Sequence, residues 1–379
     1  MKVVIAPDSF KGSLRAADVA LAIEAGVKRC LPKAETVLLP AADGGEGTLD
    51  SLTRFGGTKV PVTVTGPLGT PVAAEFGILR TGTDAVIELA SASGLELVPP
   101  DGRDPLRATT YGTGELIRHA LDAGCRKFII AIGGSATNDG GAGLLQALGI
   151  RLLDKEGAEI GYGGGELHRI AEIDDRKADP RLREAVFTIA ADVQNPLLGV
   201  SGATAVYGPQ KGVTPEMAEE LEAGMRNWAD RIAEQTGIRV HDLPGAGAAG
   251  GVGGALFAFF RAEMKRGIDI VIAESGLLAH LADADMVITG EGRVDSQTAS
   301  GKTALGIAQE ARRFGVPVIA LAGSVGPGID VLYAAGITGV HSIVDGPMTL
   351  AEAMSRTHEL LEHAAERVMR TFAAGRAGR

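Results

Sequence analysis

Short apolar runs alternate with helical spacings along the whole chain. Residues 2–6 read as a buried strand, and Val19, Ile23, Val27 and Cys30 then fall on one face of a helix that Ser13 caps and Pro32 stops. Residues 36–39 form a second strand leading into another helix, which is βαβα order and implies a parallel sheet. After Gly57 the rhythm changes. Residues 59–65, 72–79 and 84–90 are short, β-branched or alternating runs broken by Gly-Pro-Leu-Gly and Thr-Gly-Thr-Asp, as in an antiparallel meander.

A helix over residues 113–123, closed by Gly124, leads to a strand at 127–132, and residues 186–191 form another buried strand. Thr214 with Pro215 starts a helix that runs to Gly237. The βα rhythm returns with a strand at 286–289, a loop, a helix over 302–314 closed by Gly315, and a strand at 316–321. Thr349 and Glu352 stand at capping-box spacing before a last helix that reaches about Ala373, and the tail beyond it frays. This pattern predicts an α/β protein of two domains. One is a parallel-sheet domain from both chain ends, residues 1–58 plus 285–379; the other is a mixed α/β domain inserted at 59–284.

The apolar runs end in loops packed with glycines, hydroxyls and carboxylates: PDSFKGS at 7–13, ADGGEGT at 42–48, GGSATNDGGAG at 133–143 and TGEGRVDSQTASGKT at 289–303. DVQNPLLG at 192–199 follows a fifth run. Ligands of open α/β sheets bind outside the carboxyl ends of the strands, where such loops gather, and successive N–H groups at a helix start hold anions. Five together point to a polar, anion-handling active site.

Composition agrees. Glycine makes up 54 of 379 residues, about 14% against a usual ~7%, with no collagen-like period to explain it. The 45% hydrophobic and 22% charged fractions are those of a globular protein, and the length suits two or three domains at about 150 residues each. A net charge of −10 and only ten Phe, four Tyr and one Trp argue against a nucleic-acid binder. The most apolar later run, residues 248–260, is rich in glycine and falls short of the ~18 residues of a membrane span. Two distant cysteines, Cys30 and Cys125, read as reduced thiols, so a cytoplasmic protein is expected.

Each loop also has an ordinary structural reading. Ser300-Gly301-Lys302-Thr303 ends like a Walker A loop, but Ser296 stands where that loop needs glycine, so this is not a P-loop. Glu291, Arg293 and Asp295 beside it offer two Mg²⁺ carboxylates and a guanidinium. In the 133–143 loop, Gly133 and Gly134 allow close approach. Ser135, Thr137 and Asn138 can donate to phosphoryl or carboxylate oxygens, Asp139 can hold a cation, and packing alone can also account for the glycines. Asp8, Ser9 and Lys11 form either a site or an Asx-type turn; Asp43 and Glu46 are ligands or turn residues; Asp192 is a base, a metal ligand or a helix cap. Lys211 in GPQKG can meet a phosphate, while the GAGAAGGVGG stretch at 245–254 is as well explained by helix packing. The seven histidines lack metal-ligand spacing, so no structural metal site is expected, and no G-x-S-x-G elbow supports a hydrolase.

The opening MKVVIAPDSFKGS resembles that of the bacterial glycerate kinases. ADGGEGT, GGSATNDGG, DVQNPLLG, GPQKG and TGEGRVDSQT extend the likeness in order from Met1 to about Val344. The resemblance implies ATP-dependent phosphorylation of D-glycerate with Mg²⁺, leaning to 2-phosphoglycerate over 3-phosphoglycerate. It also implies a discontinuous flavodoxin-like domain and an inserted domain of restriction-enzyme-like topology, with the site in the cleft between them. On that reading Asp192, Asp43, Lys11 and Arg293 are catalytic candidates, with Asp192 or Asp43 as base. Asp8, Ser9, Lys11, Glu291, Arg293 and Asp295 meet the substrate. Gly133, Gly134, Ser135, Thr137, Asn138, Lys211 and Lys302 meet ATP, and Asp192, Glu291 and Asp295 hold Mg²⁺. The alternatives are a kinase for another hydroxy or sugar acid, a nucleotide- or anion-binding regulator without turnover, and a dinucleotide oxidoreductase. The last lacks the acidic residue expected about 20 positions beyond its glycine loop.

Overall fold

The computed structural model describes residues 1–296, 298 and 303–377. Within them the strands are β1 (Lys2–Ile5), β2 (Glu35–Leu38), β3 (Thr58–Thr65), β4 (Pro71–Ile78), β5 (Asp84–Glu88), β6 (Lys127–Ala131), β7 (Arg151–Leu153), β8 (Glu172–Asp174), β9 (Val186–Ala190), β10 (Glu263–Lys265), β11 (Met286–Val294), β12 (Val318–Val325) and β13 (Ile337–Ser342). The chain forms two compact units, one of Met1–Asp43 with Ile268–Arg379 and the other of Gly44–Gly267.

These divisions fall earlier than residues 58/59 and 284/285, where the sequence pattern puts them, and packing explains why. Helix Thr48–Thr53 belongs with the second unit: a Cβ on Gly77 of β4 would lie 2.5 Å from Thr53 and 2.6 Å from Leu49. Helix Gly267–Ser275 belongs with the first, since Ile268 packs so closely under Gly306 that a Cβ there would lie 2.8 Å away.

The first unit is a five-stranded parallel sheet in the order β13-β12-β11-β1-β2. Counted by appearance within the unit this is 2-1-3-4-5, the flavodoxin-like order. Val3, Val4 and Ile5 of β1, which has a neighbour on each side, are fully buried, as an interior parallel strand requires. Helix Ala16–Cys30 turns Val19, Ile23 and Val27 into a core shared with Leu360, Leu361 and Ala365 of helix Thr357–Ala377. Its start departs from expectation. Arg15 is the N-cap, without a side-chain bond, and Ser13 Oγ instead donates 2.7 Å to the Met354 carbonyl.

Two further departures shape the site. Residues 289–303 read as a loop because of their glycines, yet β11 continues to Val294, pairing Glu291 with Ala322 and Arg293 with Ser324 of β12. The glycines serve close approach here: a Cβ on Gly290 would sit 2.4 Å from the Leu321 carbonyl oxygen. The last helix is also two. Thr349 Oγ1 accepts from Glu352 N, as its capping-box spacing predicts, but the helix Leu350–Ser355 stops at Arg356 before Thr357–Ala377 begins.

The second unit carries a six-stranded mixed sheet, β10-β9-β6-β5-β4-β3. The β3-β4-β5 edge is the antiparallel meander, and β5, β6, β9 and β10 run parallel. A small antiparallel β7-β8 pair forms a separate two-stranded sheet. Helix Pro215–Thr236 runs from its Thr214 cap to a left-handed Gly237 and places buried Trp228 so that Nε1 donates 2.9 Å to the Gly140 carbonyl. No described helix is long and apolar enough to cross a membrane.

Candidate active site

In the 2-1-3-4-5 order, strand connections change sides between β1 and β11, and the crevice outside their carboxyl ends is the natural ligand site. The chain past β1 is zipped to β11 there: Thr289 Oγ1 donates 2.8 Å to the Ala6 carbonyl, and Asp8 N donates 2.8 Å to that of Gly290. This brings together Asp8, Ser9, Lys11, Asp43, Glu291 and Arg293 around one cavity of about 430 Å³. Six of the residues singled out by the sequence therefore share one wall of the first unit. The cavity's other wall is Phe10, which lies within PDSFKGS, with Ile343, Val344, Leu350 and Met354, apolar residues that in sequence read as core.

Asp8 is the most constrained of the group. Oδ2 accepts 2.6 Å from the Thr303 hydroxyl and Oδ1 2.6 Å from Ser9 N. Burial pushes its pKa up to about 6, the Asp43 charge adds to the rise, and the two hydrogen bonds and Lys11 oppose it. Arg293 is two-thirds exposed, with Nε donating 2.8 Å to Asp295 Oδ2. Asp295 stands behind this guanidinium and is not among the cavity's lining residues. Lys302 lies outside the described residues.

The remaining residues belong to the second unit and fall into two sets. Asp192 is half-buried just past β9, followed by Asn195, whose amide donates 2.8 Å to the Ser201 carbonyl and whose Oδ1 accepts from Tyr207. Gly133 and Gly134 form the accessible end of their loop, with Gly133 so close to Gly45 that a Cβ would lie 2.8 Å from its Cα. Beyond them the loop turns inward. Ser135, Thr137 and Asn138 are buried, and Lys211, 1% exposed, donates from Nζ 2.8 Å to Ser135 Oγ and 2.6 Å to the Thr137 carbonyl. Burial lowers the Lys211 pKa to about 7, while the Asp139 charge opposes the shift. Asp139 accepts from Thr110 N, Thr110 Oγ1, Gly141 N and Gly143 N and is wholly buried, a structural anchor rather than an open cation ligand.

Glu88 is a residue the sequence reading missed. It ends β5, and Oε1 accepts 2.7 Å from Leu49 N at the start of the helix that follows the ADGGEGT loop. Burial raises its pKa to about 7. An acid closing an apolar strand was the available signal. Among the described residues no cluster of three His, Cys, Asp or Glu side chains is placed to hold a metal ion. Mg²⁺ in phosphoryl-transfer sites ordinarily takes one or two carboxylates plus substrate phosphates, which the acids of the cavity suit.

A flavodoxin-like sheet with acidic and basic groups converging at its switch point defines an α/β enzyme that works on anionic ligands. Comparison with known proteins specifies it. The glycerate kinase family model matches residues 3–373, and the chain belongs to that family. It is 52% identical over 372 residues to a glycerate kinase of Bacillus subtilis, covering 98% of this chain and 96% of that one. It is 48% identical to the glycerate 2-kinase of Escherichia coli K12 over 376 residues, 99% of each. A crystal structure from Salmonella typhimurium LT2, assigned provisionally as glycerate kinase 2, superposes with a TM-score of 0.88 at 50% identity, covering 100% of this chain and 99% of that one.

Proposed function

We propose that this protein transfers the γ-phosphoryl group of ATP to the 2-hydroxyl of D-glycerate. The hydroxyl oxygen bonds to the γ-phosphorus, the bond to the bridging oxygen breaks, ADP leaves, and an acidic side chain takes the hydroxyl proton. The observation that carries this reading is the convergence of Asp8, Asp43 and Glu291 with Lys11 and Arg293 at the switch point, in a chain of this family. Preference for the 2-hydroxyl is supported by the name of the relative from Escherichia coli.

Phosphoryl transfer needs positioning and charge neutralisation more than covalent help from the protein. Lys11 and Arg293 supply positive charge for the glycerate carboxylate and the phosphates, and Asp295 orients the guanidinium through its 2.8 Å contact. Asp8, with a pKa of about 6, is ionised at neutral pH yet basic enough to accept a proton. Asp43 and Asp192 are the other acids proposed for that role. Mg²⁺, when bound, neutralises charge on the transferring phosphates, and Glu291 is the cavity carboxylate proposed to hold it. A cytoplasmic setting accords with the free thiols of Cys30 and Cys125.

The test is ADP release from Mg·ATP with and without D-glycerate, with the product identified by phosphorus NMR. Glycerate-dependent ADP and a 2-phosphoglycerate resonance are expected. No stimulation by glycerate rejects the substrate.

A further inference from the structure

The switch-point cavity has two unlike halves. One is the polar set of Asp8, Ser9, Lys11, Asp43, Glu291 and Arg293; the other is apolar, made by Phe10, Ile343, Val344, Leu350 and Met354. D-glycerate offers oxygen atoms on every carbon, and an apolar wall around it would leave them without hydrogen-bond partners, a cost of kcal/mol order for each group. Of the two substrates proposed above, only ATP has apolar faces to cover, those of its purine ring. A cavity of about 430 Å³ also lies within the ~300–1,000 Å³ common for ligands of nucleotide or drug size.

Exposure supports the same assignment. Leu350 is 76% exposed and Met354 36%, four residues apart on one face of helix Leu350–Ser355. They face the cavity instead of completing the core of the unit. The helix is fastened to the loop that carries Lys11: Ser13 Oγ donates to the Met354 carbonyl and lies 2.6 Å from Thr357 Oγ1. A Cβ on Gly12 would come within 3.2 Å of Met354 Cε. The apolar surface and the lysine are thereby held in fixed register, as a base seat and a phosphate contact of one nucleotide must be.

We infer that this cavity seats the nucleotide, with the purine ring on Ile343, Val344, Leu350 and Met354 and the phosphates toward Lys11 and Arg293. This moves nucleotide binding away from the 133–138 loop and Lys211, where the sequence reading put it. The inference rests on the reading that the chain uses ATP.

The experiment is calorimetric titration of the full-length protein with Mg·ADP, alongside KM values for ATP and D-glycerate. The variants are Leu350→Asp and, independently, Met354→Glu. Leu350 is exposed enough for the substitution to leave the fold intact, which circular dichroism checks. Loss of the apolar contact should weaken Mg·ADP binding roughly tenfold or more and raise the KM for ATP in step. The KM for D-glycerate should move less than twofold. Unchanged ADP affinity in both variants, a shift confined to the KM for D-glycerate, or no ADP binding by the unmodified protein would overturn the inference. Glycerate turnover that survives with unaltered ADP affinity in both variants would overturn the seat alone. ADP binding that Leu350→Asp abolishes, in a protein that ignores glycerate, would support the seat and reject the substrate.

Discussion

The hydroxyl of Thr303 donates a 2.6 Å hydrogen bond to Asp8 Oδ2 across 295 residues of sequence. It joins the start of helix Thr303–Arg313 to the end of β1 and pulls the Asp8 pKa down against the effects of burial and Asp43. Removing the donor therefore shifts the titration upward. Thr303→Val should move the acidic limb of kcat/KM above its position near pH 6. Asp8→Asn should abolish that limb and cut turnover by about 10²–10⁴-fold. A pH–rate profile for each variant checks this; an unmoved limb in Thr303→Val removes Asp8 as the titrating group.

Arg293 and Asp295 should separate by magnitude. Arg293→Met removes the charge facing the anions, and a loss of roughly 10²–10³-fold in kcat/KM is expected, in the range seen when a stabilising donor is removed. Asp295→Asn keeps an acceptor for Nε and should cost less than tenfold. Equal losses would mean that Asp295 meets the ligands itself.

Lys211 gives a stability signature. Its folded-state pKa of about 7 lies below the ordinary 10.5, so the unfolded chain binds more protons between those values. Stability should therefore rise with pH from about 7 to 10. In Lys211→Met this rise should be absent, although the variant loses the bonds to Ser135 and Thr137. Chemical denaturation at pH 7, 8 and 9 measures it; equal slopes in both proteins would show that Lys211 stays charged.

Glu88 should act in the opposite sense. With its pKa raised from 4.5 to about 7, the folded state holds the extra proton and stability falls as pH climbs through that window, by on the order of 3 kcal/mol. Glu88→Gln keeps an acceptor for Leu49 N and should flatten this part of the curve. Melting temperatures from pH 5 to 8 decide it.

Gly26→Ala tests the packing of the first unit. The new Cβ would lie 2.1 Å from the Glu362 carbonyl oxygen and 2.8 Å from the Ala365 Cβ, a backbone clash that the two long helices must part to relieve. A loss of about 1–3 kcal/mol is expected from urea unfolding. A neutral result would mean the helices sit farther apart.

What the sequence showed depended on whether direction mattered. Period and end signals located β1, β6, β9 and helix Pro215–Thr236 to within a residue or two, because burial and capping act locally. Glycine was harder to read, since one residue type serves turns and close backbone contact alike; at Gly290 it is contact, and β11 runs on through what reads as loop. The same ambiguity hides side-chain direction. Asp8, Lys11, Glu291 and Arg293 meet at the cavity, whereas Ser135, Thr137, Asn138 and Lys211, in equally polar motifs, are buried in the interior, Lys211 bonded to Ser135 and Asn138 to Thr204. Leu350 and Met354 gave no warning, because only the fold shows which apolar residues the core leaves uncovered.

The placement of β1 has a consequence for biosynthesis. It is made before all the other strands described here and lies second from one edge of its sheet, with β11 as its inner neighbour. Ala6 and Thr289, which bond across that junction, are 283 residues apart. At translation rates of about 5–20 residues per second, β1 waits roughly 15 to 60 s for that partner. Through that interval one side of a strand that buries Val3, Val4 and Ile5 stays unpaired, while residues 44–267 are made and become free to fold. The nascent chain thus carries an apolar strand edge open through most of its synthesis, and shielding β1 meanwhile is a demand that this connectivity places on the cell.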